Sequence, residues 1–302
     1  MDTRQLKYFL TLAESLNFGR AGKMVHLSTS ALSRAIRQLE DEVGTALFLR
    51  DNRSVSLTPA GTLFHAYARD VLQQWEMMRL SLLERSAELR GELSLFCSVT
   101  ASYSFLYDIL SDFRRDHPGI EIKLRTGDPE HAIGRVLAGD EDLAIAARPD
   151  TLPRDLDFRP LTVSPLVFIA PNNEPQLVAL LHIPIAPATW ENIPMILPES
   201  GVSRQRVDRW FGDLGVKARI YAQVAGNEAI VSMVGLGFGV GVVPRIVLDA
   251  SPLADRVCIL SVTPALPPYE VGLVARRRSL RSPLIRALWT QSSVRPPSGH
   301  SA

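Results

Sequence analysis

The periodicity of this chain changes once, at Gly91, and that change limits the fold more than any other feature. Before it, apolar residues recur every three or four positions, as helices packed by one face require. After it, short apolar and β-branched runs alternate with helical stretches. A chain with two such textures builds two kinds of core, one helical and one layered from strands and helices. Its 302 residues suffice for two or three domains with a large buried interior.

In the helical part, Leu6, Phe9, Leu10, Leu12, Ala13 and Leu16 predict an amphipathic helix over residues 3 to 16. A short helix follows over 18 to 25. A third runs to Val43, with Ser28 as its N-cap, Leu32, Ala35, Ile36, Leu39 and Val43 as its apolar face, and Gly44 as its stop. Leu47–Arg50 and Val55–Leu57 flank a turn at Asp51 and Asn52 and read as a two-stranded wing. The whole is a mainly α winged helix-turn-helix over residues 1–58.

Charge along the third helix is uneven. From Ser15 to Leu39 the chain carries Arg20, Lys23, Arg34 and Arg37 and no acidic residue, and Arg50 and Arg53 follow on the wing. Glu40, Asp41 and Glu42 close the helix. A helix that enters a major groove presents its N-terminal half to bases and phosphates. Small hydroxyl side chains there (Ser28, Thr29, Ser30, Ser33) permit close approach, and arginines reach phosphates or guanine edges. The acidic half is expected to point away. The plainer alternative, a cap and a solvated basic face, leaves the two preceding helices and the basic wing without a purpose. The expected partner is therefore double-stranded DNA. The net charge of +1 makes that attraction local rather than global.

Thr58 and Pro59 open a long helix as N-cap and first residue. Phe64, Ala68, Val71, Trp75, Met78 and Leu82 are spaced 4, 3, 4, 3 and 4, a heptad seam sustained to about Glu88. Residues 59–90 thus read as a linker helix that dimerises the chain.

Beyond Gly91, "ELSLFCSV", "IEIKLRT" and "DLAIAA" are strands separated by helices near 102–115 and 129–138, a βαβαβ order that implies a parallel sheet. "PLVFIAP", "PMILP", "ARIYAQV" and "GVGVVP", with helices near 203–213 and 227–236, make a second set. "ALPPYEVGLVARR" and a helix over 282–290 end the pattern. Residues 91–295 therefore form a two-lobed α/β domain, with lobe I over 91–161 and 268–295 and lobe II over 162–267. The tail 296–302 has a disordered composition.

Two such lobes leave a cleft at strand C-terminal ends. The loops there offer Ser98, Thr100 and Ser102, then Thr126, Gly127 and Asp128, then Glu199, then Asn227 and Glu228. Hydroxyls beside free helix N–H groups suit a small carboxylate. Each loop alone is equally explained by capping and turn chemistry.

Other signals are negative. "GLGFGVG" (235–241) follows a helix and precedes a strand, the wrong order for a dinucleotide loop. The six histidines lack metal spacing, no GxSxG element occurs, and no resident cofactor, metal or catalytic residue is expected. Cys97 and Cys258 are far apart, which argues against a disulfide framework and for a reducing compartment. Cys97 adjoins the cleft, and a small apolar packing role suits it better than oxidant sensing. No secretory core or membrane-length apolar run is present. The expected location is the cytoplasm, with no membrane partner.

The stretch "LKYFLTLAESLNFGRAGKMVHLSTSALSRAIRQLEDEVGTALFLRDNRSVSLTPAG" resembles the N-terminal signature of LysR-type transcriptional regulators. The resemblance implies a winged helix-turn-helix, a linker helix and a periplasmic-binding-protein-like effector domain, assembled as a homodimer or homotetramer. It also implies that Thr29, Ser30, Ser33, Arg34 and the wing residue Arg53 contact DNA, and that RNA polymerase is a further partner. Many members carry Gln-Pro where this chain has Thr29-Ser30. "TLAESLNFGR", "LFLRDNRSVSLT", "GELSLFCSVTASYSFL", "IEIKLRTGD" and "DLAIAARPDTLP" resemble the members that activate the acetohydroxy acid isomeroreductase gene of isoleucine–valine synthesis. That likeness implies 2-acetolactate or 2-aceto-2-hydroxybutyrate as co-inducer. A regulator of another regulon with a different small acid remains open. So does a two-lobed cytoplasmic enzyme or solute-binding protein, which gives residues 1–58 no role.

Overall fold

A computed structural model describes residues 1–50, 54–83, 89–174, 177 and 186–292. Arg53, the turn at Asp51 and Asn52, residues 84–88 of the expected linker helix and residues 293–302 lie outside the described residues; Leu89 and Arg90, expected to end that helix, are not helical. The chain divides into two compact units, Met1–Ala87 and Glu88–Ala302.

The first unit contains α1 (Thr3–Ser15), α2 (Phe18–Met24), α3 (Thr29–Val43), the antiparallel pair β1 (Phe48–Arg50) and β2 (Val55–Leu57), and α4 (Pro59–Leu83). Local chemistry sets each boundary. Asp2 and Gln5 form a reciprocal capping box at the start of α1. Asn17 caps α2 by accepting the Arg20 N–H at 2.9 Å, and Ser28 caps α3 by accepting that of Ala31 at 3.2 Å. Gly44, in the left-handed region, ends α3. Leu6, Phe9, Leu12, Leu32, Ile36 and Leu39 bury their side chains in one core with Phe64 and Ala68 of α4. The Phe9 ring meets Phe64 edge-on at 4.9 Å.

This core corrects the expectation of a continuous dimer seam. Phe64 and Ala68 are buried inside the first unit, and Val71 packs against the same core. Farther along, Trp75 and Met78 are exposed, at 55% and 58%. The seam is split, with Phe64, Ala68 and Val71 spent within the chain and Trp75 and Met78 left at the surface.

The second unit holds two five-stranded sheets. One has the order β4 (Ile120–Thr126), β3 (Gly91–Cys97), β5 (Leu143–Ala147), β12 (Tyr269–Arg276), β6 (Leu156–Ser164). The other has the order β11 (Val257–Leu260), β7 (Leu166–Pro171), β10 (Val240–Pro244), β8 (Pro194–Pro198), β9 (Arg219–Val224). In each sheet three strands run parallel, β4-β3-β5 and β9-β8-β10. The parallel pairing expected for the first three strands is present, and β12, β6, β7 and β11 add antiparallel pairs to the two sheets. The strand β6 escaped the sequence reading because Arg159 and Pro160 interrupt its apolar pattern, and as an edge strand it tolerates a proline. It carries the first lobe to Ser164, so the lobe boundary falls after residue 164 rather than after 161.

Helices among the described residues of this unit include α5 (Val99–Ala101), α6 (Tyr107–Asp116), α7 (His131–Ala138), α8 (Gly201–Asp213), α9 (Asn227–Gly235), α10 (Arg245–Asp249) and α11 (Pro283–Gln291). The helical path after β3 begins at Val99, not near residue 102, and a π-turn at Ser102–Leu106 joins α5 to α6.

Candidate functional site

Two surfaces carry chemistry, one in each unit. In the first, α2 and α3 are held at a tight turn. The Leu27 N–H donates to the Gly22 carbonyl at 2.8 Å, and a Cβ on Gly22 would lie 2.7 Å from the Leu27 oxygen. Only glycine lets the two helices close this way. With Leu32, Ile36 and Leu39 buried, the opposite face of α3 presents Ser30, Arg34 and Arg37 at helical spacings of four and three. Thr29 is exposed beside them and Ser33 is half-buried. Arg20, Lys23, Arg34 and Arg37 are exposed, and none makes an ion pair among the described residues. Ser28 is exposed too, though its hydroxyl is committed to capping and to Ser30 Oγ at 3.1 Å.

Two expectations for this surface are revised. Arg50 does not stand free on the wing: its guanidinium pairs with Glu40 at 2.5 Å and lies over the Phe18 ring at 5.3 Å. Nor is the acidic end of α3 a solvated end without partners. Glu40 turns into the wing and accepts the N–H groups of Leu47 and Phe48 at 2.9 and 3.1 Å, while Glu42 takes the Met1 ammonium at 2.5 Å. The helix has two polar characters because one half meets solvent and the other staples the unit together.

In the second unit a solvent-open cleft with about 950 Å³ free of atoms lies between the lobes. It sits where the parallel strands of both sheets end: Ser98 and Thr100 follow β3, Asp128 and Glu130 follow β4, Glu199 and Ser200 follow β8, and Asn227 follows β9. Ile133, Ile145 and Val271 give it an apolar floor. Among the predicted residues, Ser98, Thr100, Asp128, Glu199 and Asn227 line it. Glu228 reaches across from α9, and its Oε1 accepts the Thr100 N–H at 3.0 Å and the Thr100 hydroxyl.

Ser102, Thr126 and Gly127 are not among the lining residues. The Ser102 hydroxyl turns back to the Val99 carbonyl at 2.6 Å because the helix begins earlier than its sequence suggests. Thr126 is exposed, and Gly127 donates its N–H to the Cys97 carbonyl at 3.1 Å.

Sequence reasoning missed Glu130, Ser200, Ser203 and Tyr269. Glu130 and Ser200 lie in loops at strand ends and Ser203 in the first turn of the helix that follows one of them, so position was a usable signal. Tyr269 comes from the returning strand β12 and had none. Glu130 accepts a hydrogen bond from the Ser200 hydroxyl of the other lobe. Burial, then the Asp128 and Glu199 charges, push its carboxyl above the usual range, against an opposing effect from His131. Burial likewise raises Tyr269, which bonds Ser203. Cys97 is buried at the end of β3, and burial pushes its thiol up to about 11. Among the described residues no group of three or more His, Cys, Asp or Glu is placed to hold a metal, and no helix is long and apolar enough to cross a membrane.

Residues 3–62 match the family model for the bacterial regulatory helix-turn-helix protein of the lysR family, and residues 86–293 match that for the LysR substrate binding domain. The chain is a LysR-type transcriptional regulator. The HTH-type transcriptional activator IlvY of Haemophilus influenzae is 41% identical over 290 residues, covering 96% of this chain and 99% of that protein. IlvY of Salmonella typhimurium is 43% identical over 292 residues, covering 96% and 98%. Among solved structures, a full-length OxyR variant from Pseudomonas aeruginosa aligns with a TM-score of 0.73 at 24% identity, covering 97% of this chain and 94% of its own. Full-length CbnR complexed with its target DNA aligns at 0.64 and 21%, covering 97% and 100%. At such identities these likenesses show the fold of a LysR regulator and no more.

Proposed function

We propose that this LysR regulator is an activator of isoleucine–valine synthesis. It binds operator DNA through α3 and takes an acetohydroxy acid, 2-acetolactate or 2-aceto-2-hydroxybutyrate, in the cleft of its second unit. The near-full-length identity to IlvY activators carries this reading. The exposed row Ser30, Arg34 and Arg37 supports the DNA partner, since unpaired arginines beside small hydroxyl residues fit a groove lined by phosphates and base edges. Self-association as a dimer or tetramer is supported by the exposed Leu63, Tyr67, Trp75 and Met78 on α4, apolar area that a second copy would cover. RNA polymerase is the expected further partner of an activator, and the cytoplasm its place. The chain is read as a binding protein, not an enzyme.

The ligand has one competitor class with an observation behind it. Asp128, Glu130 and Glu199 line the cleft, Glu228 adjoins it, and no Lys or Arg is among the lining residues. A zwitterionic amino acid would offer an ammonium to those carboxylates. A mobility-shift assay on the DNA upstream of its own gene, with 2-acetolactate, with valine and with neither, tests the proposal. Binding to that DNA altered by acetolactate alone is the expected result. A response to valine alone assigns the second class.

A further inference from the structure

An acid effector in this cleft, as proposed above, must find its hydrogen-bond donors there. A carboxylate ligand seeks N–H and O–H donors. At Thr100 both donors are present, the residue is buried, and both are already taken by the Glu228 carboxylate from the opposite lobe. The arrangement is reciprocal. Glu130 of the first lobe accepts from Ser200, the residue that precedes α8 in the second, and a Cβ on Gly201 would fall on the Glu130 carboxylate. Each lobe therefore puts a glutamate onto a hydroxyl residue at a strand end of the other.

We propose that Glu228 is an internal competitor for the effector: it occupies the donor pair at Thr100 that an acid ligand needs, and the ligand binds by expelling it. A shared occupancy is excluded by chemistry. Thr100 has one N–H and one O–H, and a second carboxylate would enter a cleft that already gathers Asp128, Glu130 and Glu199 with no lining cation to offset them. Expulsion of Glu228 breaks the α9-to-Thr100 tie between the lobes, while the Glu130–Ser200 tie on the other side stays. Ligand occupancy is thereby converted into a change in how the lobes are held. A group that merely touched the ligand would have no such lever.

Calorimetric titration of the full chain with 2-acetolactate, lactate and valine, for wild type and Glu228→Ala, tests this. Glu228 is exposed on α9, so its truncation leaves the core untouched. The variant is expected to bind a hydroxy acid at least roughly tenfold more tightly than wild type, the factor set by removing a charge-assisted competitor. Glu228→Gln, which keeps an acceptor without the charge, should gain less. Hydrogen exchange without ligand should be faster at the Thr100 amide in Glu228→Ala. A gain for lactate without binding of acetolactate supports the competitor and overturns only the choice of acetohydroxy acid. Equal or weaker acid binding by the variant overturns the proposal. So does valine binding that the variant loses, or the absence of binding by any of the three acids to Glu228→Ala.

Discussion

The face of α3 and the interlobe cleft use the same inventory, hydroxyls and charges at helix beginnings, in opposite ways. On α3, Ser30, Arg34 and Arg37 stand exposed, and the two arginines have no ionic partner among the described residues. In the cleft, Thr100 and Ser200 are already satisfied by Glu228 and Glu130. A surface built for a large polyanion can leave its cations in water, where desolvation costs nothing until DNA arrives and counterions leave. A cleft for a small ligand cannot leave a buried donor pair such as that of Thr100 empty, because an unpaired buried polar group costs about 1–3 kcal/mol. The protein fills that need from its own chain.

The sharpest break in this comparison removes the scaffold on one side only. Ala68→Asp places an unpaired charge in the core shared by α1 and α4 and should destabilise the first unit by about 3–5 kcal/mol. Trp75→Glu, on the exposed stretch of the same helix, should leave that unit's melting unchanged and act on self-association alone. Melting curves and sedimentation of both variants separate the two halves of the seam. Equal melting losses would mean that Trp75 belongs to the core.

A smaller effect is expected where α3 holds the wing. Glu40→Ala strands two backbone N–H groups and releases Arg50, at a cost of about 1–3 kcal/mol. Arg50→Ala should cost less, since the backbone bonds to Glu40 persist. Denaturant titration of the pair orders them, and the reverse order would make the ion pair the main staple.

On the cleft side the expected effect is a pH dependence. The Glu130 carboxyl is raised above its ordinary value, so its stabilising contribution is present below the unfolded-state value near 4.5 and is lost as pH rises through the folded-state value. Glu130→Gln cannot ionise. It should melt higher than wild type at neutral pH, with the gap closing in acid. A gap that does not change with pH contradicts the assignment.

The smallest effect concerns Cys97. With its thiol pushed up to about 11, it should stay unreacted with a thiol reagent at pH 8 while the protein is folded, and react on unfolding. Mass spectrometry of the labelled chain reads this directly.

What the sequence revealed divides along the same line. The caps Ser28 and Gly44, the apolar face of α3 and its exposed arginines follow from neighbours within one helix, so periodicity and local hydrogen bonding make them legible. The strand ends bearing Ser98, Thr100 and Asp128 were legible for the same reason. The role of Glu40 in the wing was not, because its partners lie seven to ten residues away across a turn. Glu228 is legible as a strand-end polar residue, but its tie to Thr100 is a pairing 128 residues apart that no local pattern encodes. Tyr269 entered the cleft on an antiparallel strand that returns after the whole second lobe.

The acidic half of α3 is structural, and its N-terminal half is the part proposed to dock on DNA. Fluorescence anisotropy on the DNA upstream of the gene, measured against salt for wild type, Arg34→Ala and Arg37→Ala, tests it most directly. Arg34→Ala should lose about 1–3 kcal/mol of binding if it reads a base. An arginine that contacts phosphate should instead lower the salt slope by about one. Binding and slope unchanged in both variants, with the fold intact, would contradict the account.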